Sequence, residues 1–438
     1  MRILLVHPAR GESIDRLIRL PPLGLACVAG ALRAAGHEPR ILDAAVVPSW
    51  RARLDADLVG WRPQVVGLSA SSAAFDAARD VAARVRRALP QAAVILGGVH
   101  ATLFPGEVLR EPAIDYAVHG EGELTAVELV GALARGEAPR AVEGIALRDE
   151  GGPRVNPPRP AVADLDSLPR PAYDLLPMGE YATPFSAAGR VTSLVTSRGC
   201  PYRCSFCDSW VVMGRRYRAH SAERVVEEIA RLARDFGVRE VLFKDSEFTL
   251  DRARVERFCE LMREGPRVSW TCSARVDALD EALLRRMVAA GCRVVQLGVE
   301  SADPDVLRAL RKGIRLDQVR SVFAAARAAG VETVANLMVG TPGETRDSIE
   351  ATRRLVAEIR PDHLNVQVFV PYPGTELHRT LGGQSPVAAA EARRRRRRLL
   401  RSFYLRPRRV AGRVLALDRR HWRQNLAAAA EMLGLAQE

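Results

Sequence analysis

Residues 191–207 read VTSLVTSRGCPYRCSFC, and this stretch decides how the second half of the chain is interpreted. It begins with Val191–Thr196, which we predict to be the first strand of a strand–helix series. A loop shaped by Gly199 follows this strand. That loop carries three cysteines, Cys200, Cys204 and Cys207. The stretch therefore predicts a strand with a cysteine loop at its carboxyl end.

The cysteine spacing, C-x-x-x-C-x-x-C, places three thiolates within eight residues, where they can wrap one compact metal centre. Zinc sites usually need four ligands with paired spacing, and the chain has no second C-x-x-C pair. A [4Fe–4S] cluster normally takes four cysteines, so three would leave one iron open. An open position is typical of a catalytic metal site. The alternative is that three cysteines stand together by chance.

Beyond this loop, an apolar strand followed by a helical pattern recurs up to about residue 373. This alternation predicts a partial or full TIM-like parallel β/α barrel, whose chemistry lies at the carboxyl ends of its strands. Ser221, Asp251 and Asp280 stand where helix N-caps are expected. The predicted strands are Val191–Thr196, Glu240–Phe243, Val268–Cys272, Arg293–Gly298, Glu332–Val339 and His363–Val370. The predicted helices are Ala222–Phe236, Arg252–Arg263, Asp280–Ala290, Leu316–Ala329 and Thr345–Ile359.

The N-terminal part alternates strands and helices in the same way, which predicts a flavodoxin-like or Rossmann-like doubly wound parallel sheet. The dinucleotide fingerprint G-x-G-x-x-G does not follow the first strand, so an ordinary NAD or FAD site is disfavoured. The predicted strands are Arg2–His7, Arg40–Asp43, Val65–Ser69, Ala93–Leu96 and Tyr116–Val118. The predicted helices are Gly24–Ala35, Ala73–Ala88 and Glu123–Ala134.

Polar or glycine-rich loops follow these N-terminal strands, at the edge where open α/β sheets bind ligands. Residues 69–72, 97–102 and 119–123 are the clearest of these loops. Tandem glycines such as Gly97 and Gly98 let a backbone approach a large ligand closely. The loops therefore predict a ligand site, with ordinary tight turns as the alternative.

The remaining segments complete a four-part organisation, predicted as 1–140, 141–190, 191–375 and 376–438. Ile145–Val155 has the pattern of a hairpin, and the Pro-rich stretch after it reads as a linker over surfaces. The short C-terminal tail carries the run Arg393–Arg398 beside apolar residues at helical spacing. We expect a basic helix that packs on the body with its arginines in solvent, the alternatives being a nuclear signal, a nucleic-acid patch or an acidic-membrane contact.

Composition excludes several classes of protein. The chain has 438 residues, of which 47% are hydrophobic and 27% charged, unlike disordered or collagen-like chains. Its net charge is +13, but Lys244 and Lys312 are the only lysines among 65 basic residues. Such usage resembles coding bias, so the arginine excess is a weak argument for nucleic acid.

Cysteine count and hydropathy favour a cytoplasmic protein. Seven cysteines, with three crowded together, do not form a disulfide framework. No apolar run approaches the roughly 20 residues of a membrane span. The opening residues MRILLVHPAR have an apolar stretch too short for a signal peptide.

The cysteine loop resembles that of radical S-adenosylmethionine (SAM) enzymes, and the resemblance covers roughly residues 191–375. It implies that SAM chelates the open iron through its amino and carboxylate groups. One electron from the cluster would then cleave SAM to a 5′-deoxyadenosyl radical.

The resemblance also implies which residues bind SAM. Phe206 takes the aromatic position that lines the adenine, and Asp245 or Glu247 would hold the amino group. Arg275 is suited to a carboxylate, although an ion pair with Asp277 is equally possible. The ends of the fourth and fifth strands would contact ribose or adenine through Gln296, Glu300, Asn336 and Gly340.

Residues 1–134 resemble the cobalamin-binding domain that precedes many radical SAM enzymes. The Asp-x-His-x-x-Gly signature is missing, so the resemblance implies cobalamin without a histidine on cobalt. A packed or capping histidine is the alternative interpretation of His100. The candidate contacts are Ser69, Ser71, Ser72, Gly97, Gly98, His100, Thr102, Gly120 and Glu121.

Together the resemblances imply a class B radical SAM methyltransferase that methylates an unactivated carbon of a small-molecule or lipid-type metabolite. The two cofactors would meet between the sheet and the mouth of the barrel. An external one-electron reductant, similar to flavodoxin or ferredoxin, would be needed. Catalytic groups beyond the cofactors, the substrate and the oligomeric state are not predicted.

Three rival functions stay open. Some relatives use both cofactors for ring closure or ring contraction. A methylthiotransferase should supply three more cluster cysteines from its N-terminal domain, where this chain has only Cys27. A nucleic-acid-binding iron–sulfur protein, suggested by the arginine run, would bind in a salt-sensitive way and leave SAM uncleaved.

Overall fold

A computed structural model describes residues 1–8, 19–183, 186 and 189–405, which form two compact units. Unit 1 consists of Met1–Thr183 together with Val212–Gly214. Unit 2 consists of Pro184–Val211 and the chain from Arg215 onward. In the described ranges, every helix is too short or too polar to cross a membrane.

Unit 1 is built on a seven-stranded sheet with the order β2-β1-β3-β4-β5-β6-β7. Strands β1 to β5 pair in parallel, and their order 2-1-3-4-5 is that of the flavodoxin-like doubly wound fold. This confirms the predicted fold class. The strands are β1 (Arg2–His7), β2 (Glu38–Asp43), β3 (Val65–Ser69), β4 (Ala93–Gly97), β5 (Tyr116–Val118), β6 (Ile145–Asp149) and β7 (Gly152–Val155).

Alternate residues of the central strands point into two separate cores, as strands buried on both faces require. Leu4 and Val6 of β1 belong to one apolar cluster, whereas Ile3 and Leu5 belong to the other. Helices cover both faces of the sheet. They are α1 (Leu23–Ala34), α2 (Trp50–Ala56), α3 (Phe75–Ala88), α4 (Val99–Leu103), α5 (Pro105–Val108) and α6 (Gly122–Ala134).

The predicted hairpin is present, but it extends the sheet instead of standing apart from it. Strand β6 pairs antiparallel with β5, and β7 pairs antiparallel with β6. The first three residues of β6 are buried, while β7 is mostly exposed. The hairpin therefore covers the edge that β5 would otherwise expose to solvent.

The Pro-rich segment after the hairpin packs on unit 1 up to Thr183. The Ala172 backbone N–H donates to the Ala26 carbonyl of α1 at 2.9 Å. Tyr181 is buried and its hydroxyl donates to the Asp43 carboxylate at 2.9 Å. The segment is thus part of unit 1, because its aromatic side chains are buried there.

Unit 2 is built on a six-stranded parallel sheet with the order β15-β14-β13-β12-β11-β8. Strands β8 and β15 lie at its two edges, so the sheet is a partial barrel and not a closed one. An antiparallel pair of two-residue strands, β9 and β10, stands beside it. The strands are β8 (Val191–Leu194), β9 (Ser197–Arg198), β10 (Arg218–Ala219), β11 (Glu240–Phe243), β12 (Ser269–Ala274), β13 (Cys292–Glu300), β14 (Glu332–Val339) and β15 (His363–Val368).

The helices that follow these strands begin where the sequence placed their caps. Ser221, Asp251 and Asp280 each accept a hydrogen bond from the backbone N–H three residues later, which satisfies a free amide of the first turn. The helices are α7 (Ser209–Met213), α8 (Ala222–Phe236), α9 (Arg252–Glu264), α10 (Glu281–Ala289), α11 (Pro304–Ala309), α12 (Leu316–Ala329), α13 (Arg346–Ile359), α14 (Glu376–Thr380) and α15 (Ala389–Tyr404).

The arginine run lies on α15, as the sequence predicts, and the apolar residues Leu399, Leu400 and Phe403 are buried. The arginines are not all in solvent, however. Arg395 pairs with Glu344 and Arg396 donates to the Val366 carbonyl, because their face of the helix turns toward the sheet. The predicted tail beyond residue 405 lies outside the described residues.

Candidate functional site

The cysteine loop follows β8 and is closed at its base by the β9–β10 pair, in which Arg198 opposes Arg218. Gly199, directly before Cys200, has φ +83°, a backbone conformation that residues with a Cβ rarely adopt. The loop therefore leaves the strand through a turn that needs glycine at this position.

The three cysteines of the loop are free and half-buried. Burial raises the pKa of the Cys200 thiol, and the neighbouring Cys207 and Cys204 thiols raise it further, so the three stand close together. Over the described ranges, no group of three or more His, Cys, Asp or Glu side chains converges on a single metal ion. A cluster offers its ligand positions on several irons, and three nearby thiols on one loop fit that donor pattern.

The middle of the loop is anchored on the C-terminal end of α11. The Ser205 hydroxyl donates to the Ala309 carbonyl at 2.9 Å, and its backbone N–H donates to the Leu310 carbonyl at 3.0 Å. Phe206 packs against an apolar cluster that includes Val306 and Phe369. The side chain predicted to line adenine thus forms part of an apolar wall beside the cysteines.

Asp245 and Glu247, the two acids after β11, have different surroundings. Asp245 is buried and accepts from the Thr196 amide at 2.7 Å, the Thr196 hydroxyl at 2.6 Å and the Ser197 hydroxyl at 2.7 Å. These bonds join the ends of β8 and β11. Asp245 is therefore occupied in holding the start of the cysteine loop.

Glu247 lies nearer to the cysteines and is less occupied. Its Oε1 accepts from the hydroxyl and the backbone N–H of Thr249. Burial raises the pKa of Glu247 above its ordinary value, with the Thr249 bonds opposing this, and the Arg275 cation also lowers it. Its charge is near enough to raise the pKa of Cys200. Of the two acids, Glu247 is the better placed to hold an ammonium group beside the cysteine loop.

Arg275, at the end of β12, forms the ion pair with Asp277 that the sequence left open. Its Nε and NH2 donate to the two carboxylate oxygens at 2.9 and 2.8 Å. The pair is not on the surface: the Arg275 side chain is 8% exposed and its guanidinium lies 3.8 Å from the ring centroid of Tyr202 in the cysteine loop. NH1 donates to the Lys312 carbonyl at 3.1 Å. Arg275 therefore braces the loop while bringing a cation to it.

Lys312 is a residue of this site that the sequence reasoning missed. Its Nζ pairs with Glu300 Oε1 at 2.8 Å, and both side chains are 10% exposed. Burial lowers the pKa of Lys312, but the Glu300 and Cys204 charges outweigh it and raise that pKa above the ordinary value. Gly298 leaves room for the pair, since a Cβ there would lie 2.5 Å from Nζ. The sequence did contain a signal for Lys312, because it is one of only two lysines in the chain.

The other predicted SAM-binding residues lie on β13 and β14 or directly after β14. Gln296 and Glu300 are on β13, and Glu300 has φ +62°, a strained conformation for a residue with a side chain. Asn336 on β14 accepts at its Oδ1 from the Asn365 amide at 2.9 Å. Gly340 follows β14 directly. Glu300 and Gly340 therefore lie at the carboxyl ends of β13 and β14, whereas Gln296 and Asn336 lie inside these strands.

In unit 1, the predicted cobalamin-binding loops are joined at the carboxyl edge of the sheet. Gly98 has φ +92°, and a Cβ there would lie 2.9 Å from the Ala70 carbonyl and from the Ser69 hydroxyl. The Thr102 hydroxyl donates to the Gly98 carbonyl at 3.0 Å and accepts from the Gly120 amide at 3.1 Å. The loops after β3, β4 and β5 therefore form one surface. They pack closely because Gly98 has no side chain to hold them apart.

His100 is held inside unit 1. Its ring stacks on Phe75 at 4.0 Å, lies 5.2 Å from Phe104, and its Nδ1 is 3.1 Å from the exposed Ser72 hydroxyl. Burial lowers the pKa of His100, so the ring favours its neutral form. These contacts agree with the alternative of a packed histidine and leave Nε2 for any ligand.

One other polar atom at this edge fits a polar ligand. Ser71 Oγ is buried and has no hydrogen-bond partner within the described ranges. Such an atom is costly to leave unpaired unless a ligand satisfies it. The buried His119 ring instead interacts with the backbone of Asn156 and Ile145, which partly offsets the lowering of its pKa by burial. Glu121 Oε2 accepts from the Val162 amide at 3.1 Å, which ties the last predicted contact to the segment after the hairpin.

Comparison with known proteins gives two family matches. Residues 194–356 match the radical SAM superfamily and residues 16–130 match the B12-binding domain. These ranges contain the cysteine loop and the joined loops of unit 1.

Relatives align with most of the chain. An uncharacterized methyltransferase of Pyrococcus horikoshii is 36% identical over 86% of this chain and 82% of its own length. Hopanoid C-3 methylase of Methylococcus capsulatus is 32% identical over 87% of this chain and 72% of its own length. The anaerobic magnesium-protoporphyrin IX monomethyl ester cyclase of Rubrivivax gelatinosus is 32% identical over 88% of this chain and 71% of its own length.

Among solved structures, the radical SAM methyltransferase TsrM from Kitasatospora setae, with cobalamin and a [4Fe–4S] cluster bound, has a TM-score of 0.73. It is 22% identical, and the likeness covers 86% of this chain and 73% of that one. At this identity the likeness shows the fold: a doubly wound sheet and a partial barrel in one chain.

Proposed function

The chain belongs to the radical SAM superfamily, among the members that carry a B12-binding domain, and from this we propose that it transfers a methyl group to an unactivated carbon. Its cofactors are a [4Fe–4S] cluster, SAM and cobalamin. The acceptor is a small-molecule or lipid-type metabolite. The observation that carries the proposal is the combination of both domains in a chain 36% identical to a methyltransferase across 82% of that protein.

The residues of unit 2 have separate roles in this proposal. Cys200, Cys204 and Cys207 would hold the cluster, and a cluster held by three cysteines would keep an open position for SAM. When bound, the cluster supplies the electron that cleaves SAM, and cobalamin carries the methyl group. Glu247 accepts hydrogen bonds from the SAM ammonium group, and Phe206 excludes water from one side.

The cations at the site favour a carboxylate. Arg275 donates from Nε and NH2 to Asp277 and from NH1 to the Lys312 carbonyl, so only the second N–H of NH1 and the second N–H of NH2 are open to the SAM carboxylate. Lys312 holds Glu300 in place, and Glu300, Gln296, Asn336 and Gly340 face the ribose and adenine. Buried, paired side chains lose little freedom on binding, so the site is preorganised.

In unit 1, Ser71 Oγ supplies a hydrogen-bonding group for cobalamin that the fold leaves without another partner. Gly97 and Gly98 let the backbone approach the ligand. Ser69, Thr102, Gly120 and Glu121 hold the loops together around it. The proposal includes no cobalt-binding histidine, because the Asp-x-His-x-x-Gly signature is missing.

Ring closure is the second candidate, because the Rubrivivax gelatinosus cyclase is 32% identical over 71% of its length. It would use the same cofactors without transferring a methyl group. Hopanoid C-3 methylase is no more identical to the chain than the cyclase is, at 32% each, so the 36% identity to the Pyrococcus horikoshii methyltransferase is what favours methyl transfer.

Product analysis separates the candidates. The protein is reconstituted without oxygen and incubated with cobalamin, SAM and a low-potential reductant. Formation of S-adenosylhomocysteine together with 5′-deoxyadenosine supports methyl transfer, and 5′-deoxyadenosine alone supports the cyclase-type reaction. If neither product forms from protein that retains its cluster, both candidate functions are contradicted.

Replacement of Cys200, Cys204 and Cys207 by Ala should abolish the brown absorbance of the cluster and its bound iron. Cys27→Ala is the matched control, because Cys27 lies on α1 in unit 1 and should leave the iron content unchanged. Iron retained by the triple variant would refute the ligand assignment.

The proposal includes an external one-electron reductant similar to flavodoxin or ferredoxin. Reduction of the cluster is the step that needs it, since neither unit of the fold is itself a source of electrons. A flavodoxin with its reductase should support SAM cleavage. Cleavage with a chemical reductant but not with either carrier class would contradict this part of the proposal.

A further inference from the structure

Helix α15 lies outside the matched superfamily range 194–356, yet it contacts the strand end predicted to bind SAM. It packs along β15, the edge strand, whose outer backbone groups have no neighbouring strand. The Tyr404 hydroxyl accepts from the Leu364 amide at 2.9 Å and donates to the Leu364 carbonyl at 3.0 Å. Arg396 Nε donates to the Val366 carbonyl at 2.9 Å. These bonds fix the helix on the sheet.

From this position, α15 meets the turn after β14. Ala392 is buried, and a Cβ added at Gly340 would lie 3.1 Å from the Ala392 Cβ. Gly340 has φ +80°, so the turn needs glycine there for its backbone as well as for its space. The turn and the helix are therefore in direct contact.

An ionic chain connects the same two elements. Both carboxylate oxygens of Glu344 accept from the Gly340 backbone N–H at 3.0 Å. Arg395 NH1 donates to Glu344 Oε1 at 2.6 Å, and the Glu344 side chain is 5% exposed. Arg395 Nε donates to Glu391 at 3.0 Å, which directs the guanidinium. A buried carboxylate needs such a partner, because an unpaired charge is costly there.

The turn also presents a hydroxyl with no partner. Thr341 is 1% exposed, and its Oγ1 is buried without a hydrogen bond among the described residues. The contacts with α15 thus fix a turn in which the residue after Gly340 carries an unsatisfied polar atom. A bound polar ligand would satisfy that atom.

We propose that Arg395 is a positioning residue for SAM: through Glu344 it holds the Gly340–Gly343 turn in the conformation that binds the cofactor. This inference rests on the proposed function, which places SAM at the end of β14. It gives part of the arginine run a role within the enzyme itself. Arg395 touches neither SAM nor the cluster and acts only through Glu344.

The first test measures the turn directly in the cluster-loaded protein without SAM. Arg395→Ala should increase amide hydrogen exchange in the peptide 337–344, because the Gly340 amide loses a fixed acceptor. Arg398→Ala is the matched control, since Arg398 is an exposed member of the same run. Unchanged exchange in Arg395→Ala would overturn the proposal.

The second test measures SAM affinity by equilibrium dialysis with the cluster-loaded protein. Arg395→Ala should weaken SAM binding about tenfold, the loss expected for one charge-assisted bond acting through a neighbour. Arg395→Lys should recover part of the affinity, and Arg398→Ala should bind as the wild type does. At saturating SAM the turnover rate should change less than the affinity. Equal affinity in Arg395→Ala and the wild type would overturn the proposal.

Two more variants separate positioning from simple docking of the helix. Glu344→Gln keeps the docked helix and should reproduce the loss of affinity even if Arg395→Ala folds poorly. Tyr404→Phe removes the bonds to Leu364 and should lower the melting temperature with SAM affinity unchanged. If Tyr404→Phe weakens SAM binding as much as Arg395→Ala does, the role is structural and the proposal is wrong.

The outcomes also distinguish this inference from the proposed function. If the wild-type protein with its cluster binds no SAM, the proposed function fails. The exchange of peptide 337–344 in the SAM-free protein then still decides whether Arg395 holds the turn.

Discussion

At the scale of single residues, the two acids after β11 show how neighbours separate side chains that look equivalent in sequence. Asp245 and Glu247 are two residues apart and both buried, but Asp245 accepts three hydrogen bonds from Thr196 and Ser197. Glu247 accepts from the backbone N–H and the hydroxyl of Thr249 on one carboxylate oxygen and lies near Cys200. Asp245 is thereby committed to the structure of the loop, and SAM binding by Glu247 is the role that we propose.

We expect Glu247→Gln to weaken SAM binding about tenfold while the cluster is retained, because the ammonium loses a charged acceptor. Asp245→Asn should instead lower the free energy of unfolding by about 2 kcal/mol, because an amide donor would face the Thr196 amide. Dialysis with SAM and urea titration measure the two effects. The reverse pattern would show that Asp245 binds the cofactor.

The Glu300–Lys312 pair leads to a second prediction at this scale. Lys312→Met leaves a buried carboxylate without its partner and should lower the free energy of unfolding by about 3 kcal/mol. The double variant Lys312→Met/Glu300→Gln should recover part of that loss, since the charge is gone. Chemical denaturation checks both, and a single variant as stable as the wild type would mean that Glu300 is paired elsewhere.

At the scale of elements, the cysteine loop depends on its exit from β8. Gly199 has φ +83°, and the β9–β10 pair closes the loop behind it. The sequence showed that Gly199 shapes this loop, and the backbone angle gives the reason. Short elements such as β9, β10 and α11 could not be predicted, because their stability comes from packing and not from local propensity.

Gly199→Ala should destabilise the loop by about 1–2 kcal/mol, since a Cβ is disfavoured in the left-handed region. We expect the cluster to lose its iron to a chelator roughly tenfold faster. The fall in visible absorbance with time measures this loss. Gly24→Ala is the control, because Gly24 lies in α1 with no atom within 4 Å of the added Cβ. Equal iron loss in both variants would contradict the argument.

At the scale of the whole molecule, the two units bury different ionisable groups. Unit 1 holds His100 and His119, and burial lowers the pKa of each from 6.5. The unfolded chain therefore binds more protons than the folded one as the pH falls below 6.5. The stability due to these groups is complete above that pH and is lost as the pH falls through the lowered pKa values.

Unfolding in urea should accordingly need less denaturant at about pH 5.5 than at about pH 7.5. His119→Gln removes one of the two groups, so its midpoint should differ less between the two pH values. The comparison isolates His119 from all other titrating groups. An identical pH dependence in His119→Gln and the wild type would show that His119 is not buried in its neutral form.

The sequence by itself determined the two strand–helix series, the cysteine loop and the family to which they belong. These features are local: apolar runs, helix caps and cysteine spacing are read along a few consecutive residues. Residues 222–236 and 332–339, for example, form the predicted helix and strand without any shift of their ends.

Only the tertiary structure decided which polar groups meet. It joined the hairpin to the sheet, left the barrel open between β8 and β15, and gave Asp245 and Glu247 different hydrogen-bond partners. It also brought Lys312 to Glu300 and Arg395 to Glu344. Such pairs join residues distant in the chain, and burial makes their charges seek partners, so no local pattern specifies them.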